Sequence, residues 1–304
     1  MSEAAPAELI FVGGTGRSGT HILGRLLGSH AQLADVPIES RFHCNKRGIP
    51  DLLEGRVSLR GFMQKLRGFW WHRVRVDDQP RGLYNLMTQA AFDEAADRFE
   101  RSYHDEPVTA CRTLYCDLLM RVAHEQGKPG LVEMSSHNIK EAQTLRRLFG
   151  DARFVHTVRD GRDAASSVTT KTWGPSRIGP GIDWWAERLR AIDAGVRGEE
   201  DGGQFDLGPD RLHTVVLDDL VGGDREAVLA GLLSFCGVAE DQGVCAFFAD
   251  EMGSGQAHRG RWGEGMGSVD RARVRRKYER TLAALDAERN HVAGPLLEAY
   301  ERLG

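Results

Sequence analysis

Lysine is scarce in this chain and long apolar runs are missing. Of its 304 residues 40 are basic, yet lysine stands only at positions 46, 65, 128, 140, 171 and 277. The cationic side chains are therefore mostly arginine, whose planar fork matches phosphate or sulfate in two places at once, although a GC-rich coding sequence would give the same bias. Nowhere do eighteen apolar residues follow one another, so no membrane span is expected and the chain reads as soluble. Near the N-terminus the one apolar run, Leu9 to Val12, is too short for a signal core and reads as a buried strand. Five cysteines, at 44, 111, 116, 236 and 245, are odd in number and form no CxxC pair. Neither a disulfide framework nor a zinc site is favoured, and a reducing cytoplasm is the expected compartment. Blocks of like charge are also missing: 44 acidic residues leave a net charge of -4. That argues against a nucleic-acid arm or a basic membrane patch, so any anion site must be local.

What is present is an alternation. The runs at 8–13, 130–135, 153–158 and 212–217 are rich in β-branched residues and read as buried strands. Amphipathic stretches follow them, at 19–30 with Ile22, Leu23, Leu26 and Leu27 on one face, at 139–150, and at 224–237 with Gly237 placed as a helix stop. Strand, helix and strand in turn predict an α/β fold with a parallel sheet between helical layers. Residues 45–126 break the pattern: they look helical throughout and are expected to be an insertion on one domain spanning 1–304, a place where acceptor specificity would reside. The glycine-rich segment 251–268 is expected to be a loop, and the charged tail a terminal helix or helix pair.

The first strand runs into "GGTGRSGTH", Gly13 to His21. Backbone N–H groups of such a turn, at the start of a helix, converge on an anion. A triphosphate loop, G-x-x-x-x-G-K-[ST], fits from Gly14 to Gly19, but Thr20 then stands where the lysine belongs and His21 where the magnesium-binding hydroxyl belongs. The cation sits inside the loop instead, at Arg17. This register, a basic residue followed by Ser-Gly-Thr after a strand, resembles the 5′-phosphosulfate loop of the sulfotransferases that use 3′-phosphoadenosine 5′-phosphosulfate, a family with a P-loop-like three-layer fold that needs no metal. The resemblance implies that Gly14, Thr15, Gly16, Arg17, Ser18, Gly19, Thr20 and His21 hold the 5′ side of the donor, with Arg17 stabilising the departing phosphate. His21 replaces the second threonine common there. In "RFVHTVRDGRDAASSV", Arg159 at a strand end and Ser167 eight positions later resemble the family's clamp on the 3′-phosphate, which would release adenosine 3′,5′-bisphosphate as product. Without the family, Arg159 could simply pair with Asp160 or Asp163.

Transfer to a hydroxyl needs a base facing the sulfuryl group. Glu39, in a Glu-Ser-Arg segment after the loop helix, resembles the base of the tyrosylprotein and carbohydrate branches, with Arg41 as its orienting or substrate-contacting partner and His43 as a weaker contact. His137 is the rival: it lies twenty-two positions before Arg159, as in the cytosolic steroid and phenol branch. The family's lysine after the "VE" strand end is replaced here by Met134, which would weaken neutralisation of the transferring group. Arg259 or Arg261 would resemble the C-terminal basic loop near the 3′-phosphate. A hydroxyl-bearing small molecule or glycan is the expected acceptor. The alternatives are a magnesium-dependent nucleoside-triphosphate phosphotransferase, and a nucleotide-binding homologue that has lost turnover.

Overall fold

A computed structural model describes residues 9–73, 81–200, 203–204, 207–253 and 259–303. In chain order the strands are β1 (Leu9–Gly14), β2 (Leu33–Asp35), β3 (Gly130–Glu133), β4 (Arg153–Val158), the short antiparallel pair β5 (Glu199–Glu200) and β6 (Gly203–Gln204), and β7 (Leu212–Val216). β2, β3, β1, β4 and β7 lie in that order in one parallel sheet. This is the α/β sandwich expected from the alternation. β1 is buried at every position, as a central strand of a sheet covered on both faces must be.

The two faces of the sheet carry two apolar clusters. Ile10, Val12 and Val155 meet Leu23, Leu26 and Leu27 of α1 (Thr20–Gly28) on one side. On the other, Phe11 stacks on Phe154 with centroids 5.6 Å apart and meets Tyr115 edge-on at 5.8 Å. Tyr115 closes α5 (Pro107–Tyr115), one of the helices that fill the interval between β2 and β3 together with α2 (Ile49–Leu53), α3 (Leu59–Lys65), α4 (Gln89–Ser102) and α6 (Arg121–Glu125). Each large side chain buried here contributes about 1.5–3 kcal/mol. Residues 45–126 hold helices and turns and no strand among those described, as the sequence predicts. Trp70, Trp71 and Trp185 are buried in this cluster.

β2 was not evident in the sequence. Three residues are too few for a periodicity to show, and what holds this edge is remote: Lys128 Nζ donates to the carbonyls of Gly28, His30 and Leu33 at 3.1, 3.0 and 2.8 Å. Beyond β3, α7 (Ala142–Leu148) leads to β4, and α8 (Gly161–Thr169) and α9 (Ile178–Arg197) follow it. After β7 come α10 (Leu217–Gly222), α11 (Arg225–Cys236) and α12 (Gln242–Glu251). α11 ends at Gly237, whose φ of 74° is the left-handed cap expected of it. Of the glycine-rich segment, residues 254–258 lie outside the described residues and Arg261–Gly263 form a single 3-10 turn. α13 (Ser268–Ala287) and α14 (Gly294–Leu303) make up the helical tail.

Candidate active site

The carboxyl ends of β1, β3, β4 and β7 supply the groups that converge on one side of the sheet, where an open α/β sheet binds its ligands. Between β1 and α1 the chain turns through three positive φ angles: 79° at Gly16, 60° at Arg17 and 93° at Gly19. Glycine accepts these angles freely; Arg17 does so at some cost, so the turn holds it there. At Gly19 a side chain would also strike Leu217, 2.7 Å from a built Cβ, and at Gly14 it would strike Thr157 O at 2.3 Å and Ser18 Oγ at 2.5 Å. The loop is pinned to its neighbours by Thr157 Oγ1 donating to Ser18 O at 2.8 Å and Gly14 N donating to Ser136 O at 3.0 Å. Ser18 Oγ is buried and has no partner, a polar atom that a bound anion would satisfy. Thr15 is buried and its hydroxyl donates to Gly16 O, so only its backbone is available.

β4 pairs with β1 in parallel, Gly14 opposite Thr157, so the turns that follow the two strands lie side by side. Arg17 Nε donates to Ser167 Oγ at 2.9 Å across 150 residues of sequence. Arg17 and Arg159 line one cavity of about 440 Å³ together with Gly16, Gly19, Thr20 and His21. Arg159 also lies 3.8 Å from Asp163. The Asp163 carboxylate also accepts from Gly260 N at 2.7 Å and Trp262 N at 3.0 Å. That staple sets the C-terminal loop against α8, and Arg259 joins the cavity wall, 3.7 Å from Asp218. Arg261, half exposed and paired with Glu264, does not line it. Asp218, in the first turn of α10, accepts from Asp160 N at 2.9 Å and so ties that turn to the head of α8. No motif in the sequence marks either aspartate for these roles.

Glu39 lines the same cavity while only 4% exposed. Its carboxylate is held by Arg41 Nη2, by His21 Nε2 at 3.3 Å and by Arg73 Nη2 at 3.7 Å. Burial alone would raise its pKa; the His21 hydrogen bond and the charges of Arg41 and Arg73 outweigh it and hold the carboxyl well below the ordinary range. Arg73, 34 residues away, also donates to Glu39 O at 2.7 Å and was missed by motif reading.

Behind the cavity lies a second acid. Glu133, wholly buried, accepts from Ser40 Oγ at 3.1 Å, Ser135 Oγ at 2.8 Å and Asn138 Nδ2 at 2.6 Å, and lies 3.1 Å from His43 Nε2. Burial pushes the Glu133 carboxyl up, but His43, Asn138 and the Ser135 amide bring it down to about 2. His43 has no exposed surface, so the expected contact with an acceptor is corrected: its ring is committed to Glu133, Ser40 and Asn138 beneath the site. Met134 also needs correction. Strand alternation turns it to the opposite face, against Gly24 of α1, whose built Cβ would lie 2.8 Å from it. It therefore does not stand where a transferring group would be neutralised. His137 lines an adjoining cavity with Ser136, Lys140, Trp184 and Arg188. Burial, Arg188 and Arg41 bring its pKa down to about 4, so the imidazole is neutral at pH 7. Among the described residues no group of three or more metal-ligating side chains occurs, and no helix is long and apolar enough to cross a membrane.

Comparison with known proteins agrees with this geometry. Residues 9–242 match the model of the sulfotransferase family. The sulfotransferase domain of the olefin synthase of Synechococcus PCC 7002 shares the fold, with a TM-score of 0.51 at 18% identity over 92% of this chain and 97% of that one. A sulfotransferase domain from the curacin biosynthetic pathway aligns with a TM-score of 0.50 at 16% identity, covering 84% and 82%. No curated protein sequence matches significantly.

Proposed function

The chain belongs to the sulfotransferase family, and from that membership we propose that it moves the sulfuryl group of 3′-phosphoadenosine 5′-phosphosulfate to a hydroxyl of a small-molecule or carbohydrate acceptor. The observation that carries this reading is the 2.9 Å hydrogen bond from Arg17 to Ser167. It sets the cation of the first loop beside the Arg159 and Ser167 pair, and a triphosphate site has no use for that second pair. The orphaned Ser18 hydroxyl and the arginines of the cavity wall fit a ligand with anionic groups at both ends. In this reading residues 1–304 form one domain, the 45–126 helices shape the acceptor side, and the protein works in the cytoplasm.

The acceptor oxygen attacks sulfur in line; its new O–S bond forms as the S–O bond to the 5′-phosphate breaks. Arg17 and the amides of the loop stabilise the negative charge gathering on that phosphate, which departs as adenosine 3′,5′-bisphosphate. Glu39 receives the hydroxyl proton, with Arg41 yielding part of its ion pair as the carboxylate is protonated. His137, neutral and one residue from the shared Ser136, is the second proton acceptor within the same rim.

Thermal unfolding with adenosine 3′,5′-bisphosphate, adenosine 5′-monophosphate and magnesium-ATP tests the reading. The bisphosphate is expected to stabilise most, by about 2.7 kcal/mol at a hundred times its dissociation constant, and Arg159→Ala to erase its advantage over the monophosphate. Greater stabilisation by magnesium-ATP would overturn the reading in favour of phosphoryl transfer.

A further inference from the structure

We propose, resting on sulfuryl transfer as the reaction, that the acceptor itself carries an oxyanion, and that Arg188 on α9 seats that group in the cavity beside the donor site. This second cavity, about 310 Å³, adjoins the phosphate loop at Gly14 and shares Ser136 with the first. A monocyclic acid fits it, with its hydroxyl directed past Ser136 toward Arg17 and Glu39.

Three buried nitrogens at this junction have no hydrogen-bond partner: Arg188 Nε, His137 Nδ1 and Arg41 Nε. Leaving such groups unsatisfied in the interior is costly, and a ligand that accepts from them removes that cost. Arg188 forms no ion pair among the described residues; its guanidinium lies 4.4 Å from the centre of the Trp184 ring, in a fixed pose. Lys140 adds a second cation to the wall, although it pairs with Glu141 at 3.1 Å. Among the described residues one carboxylate lines the cavity, that of Glu187, an exposed residue that offsets part of the Arg188 charge. The titration behaviour agrees: burial and Arg41 push Arg188 down, and burial, Arg188 and Arg41 push His137 down. The excess of positive charge beside the buried Arg188 Nε and His137 Nδ1 is what a carboxylate or sulfonate relieves, and a neutral acceptor leaves it in place. The flat apolar face of Trp184 then supports the body of the acceptor.

The test is calorimetric titration of the protein saturated with adenosine 3′,5′-bisphosphate. The probes are near-isosteric pairs in which the anionic group is replaced by its uncharged amide: 4-hydroxyphenylacetate against 4-hydroxyphenylacetamide, glucuronate against glucuronamide, and 4-hydroxybenzenesulfonate against its sulfonamide. At least one acid is expected to bind about tenfold or more tightly than its uncharged partner. The first two pairs against the third tell carboxylate from sulfonate. Arg188→Gln should abolish the preference while the bisphosphate still binds, and Arg188→Lys should restore part of it. If no acid outbinds its partner, or if the preference survives in Arg188→Gln, the acceptor class is wrong. If the bisphosphate itself does not bind, it is the sulfotransferase reading that fails, whatever the acids do.

Discussion

Two buried glutamates stand on either side of the segment from Ser40 to His43, and they are buried in different ways. Glu133 faces inward, with every partner internal: His43, Asn138, Ser40 and Ser135. Glu39 faces the cavity, and its partners Arg41 and His21 line the same wall. Both carboxyls are pulled below their ordinary pKa, so depression by itself does not separate a working acid from a structural one. What separates them is whether a partner can move away without leaving a buried charge alone. Glu133 cannot lose His43 at any acceptable cost, whereas Glu39 can exchange Arg41 for a substrate proton.

Removing Glu133 should have the largest effect. Glu133→Ala leaves the His43 charge buried and unpaired, and a loss of about 3–5 kcal/mol in unfolding free energy is expected by chemical denaturation. Glu133→Gln with His43→Gln, which removes both charges together, should recover much of that loss. The acid limb gives a second check. The folded pKa of Glu133, about 2, lies below its ordinary 4.5, so its contribution is full above 4.5 and is lost as pH falls toward 2. The contribution of His43, raised well above 6.5, is full below 6.5 and is lost as pH climbs through the raised value. An unchanged acid limb in the double variant would mean that the pair is not what holds this layer.

Glu39→Gln should do the converse. Bisphosphate binding is expected to stay near that of the parent and stability to fall less than in Glu133→Ala, since Arg41 and His21 reach the cavity, while transfer from the phosphosulfate donor slows about 100-fold. General-base contributions run to about 10⁴-fold, and the low end applies here because Arg41 and Arg73 hold the carboxylate far from the ideal range of a base. If Glu39→Gln unfolded the protein as Glu133→Ala does, the contrast between the two acids would collapse. If it left transfer unchanged, His137 would be the base.

The same contrast explains how much could be read from the sequence. The phosphate turn, Arg159 with Ser167, and the stop at Gly237 are local: left-handed turns and strand ends declare themselves within a few residues. The roles expected of Glu39, Arg41, Arg159 and Ser167 came instead from the family resemblance. Glu133 with His43 and Ser40, the Asp163 staple, Arg73 on Glu39 and Lys128 on three carbonyls all join positions 30 or more apart. Only the tertiary fold brings them together. Met134 shows the converse error: the alignment to a motif suggested a site position, and the two-residue period of β3 sent the side chain to the other face.

A smaller effect is expected at the bond joining the two loops. Ser167→Ala removes the partner of Arg17 Nε and one contact to the 3′ side, and affinity for adenosine 3′,5′-bisphosphate should fall about tenfold, in line with about 1.5 kcal/mol for a hydrogen bond to a charged group. Affinity for adenosine 5′-monophosphate should fall less, since it lacks the 3′-phosphate. Equal losses for both nucleotides would assign Ser167 to positioning Arg17 alone.

The smallest expected signal is a slope at His137. Burial and two guanidinium groups lower its folded pKa to about 4, so between about 4 and 6.5 the unfolded chain binds more protons than the folded one. Stability must then fall as the solution is acidified through that window, by less than about 1.4 kcal/mol per pH unit for this one group. His137→Gln should make the slope shallower without altering the steeper loss below 4.5 that belongs to Glu133 and Glu39. A carboxylate seated on Arg188 should shrink the slope as well, because it cancels the charge that keeps His137 neutral. If 4-hydroxyphenylacetate left the slope of the parent protein untouched while binding, the acid would be sitting somewhere other than beside Arg188.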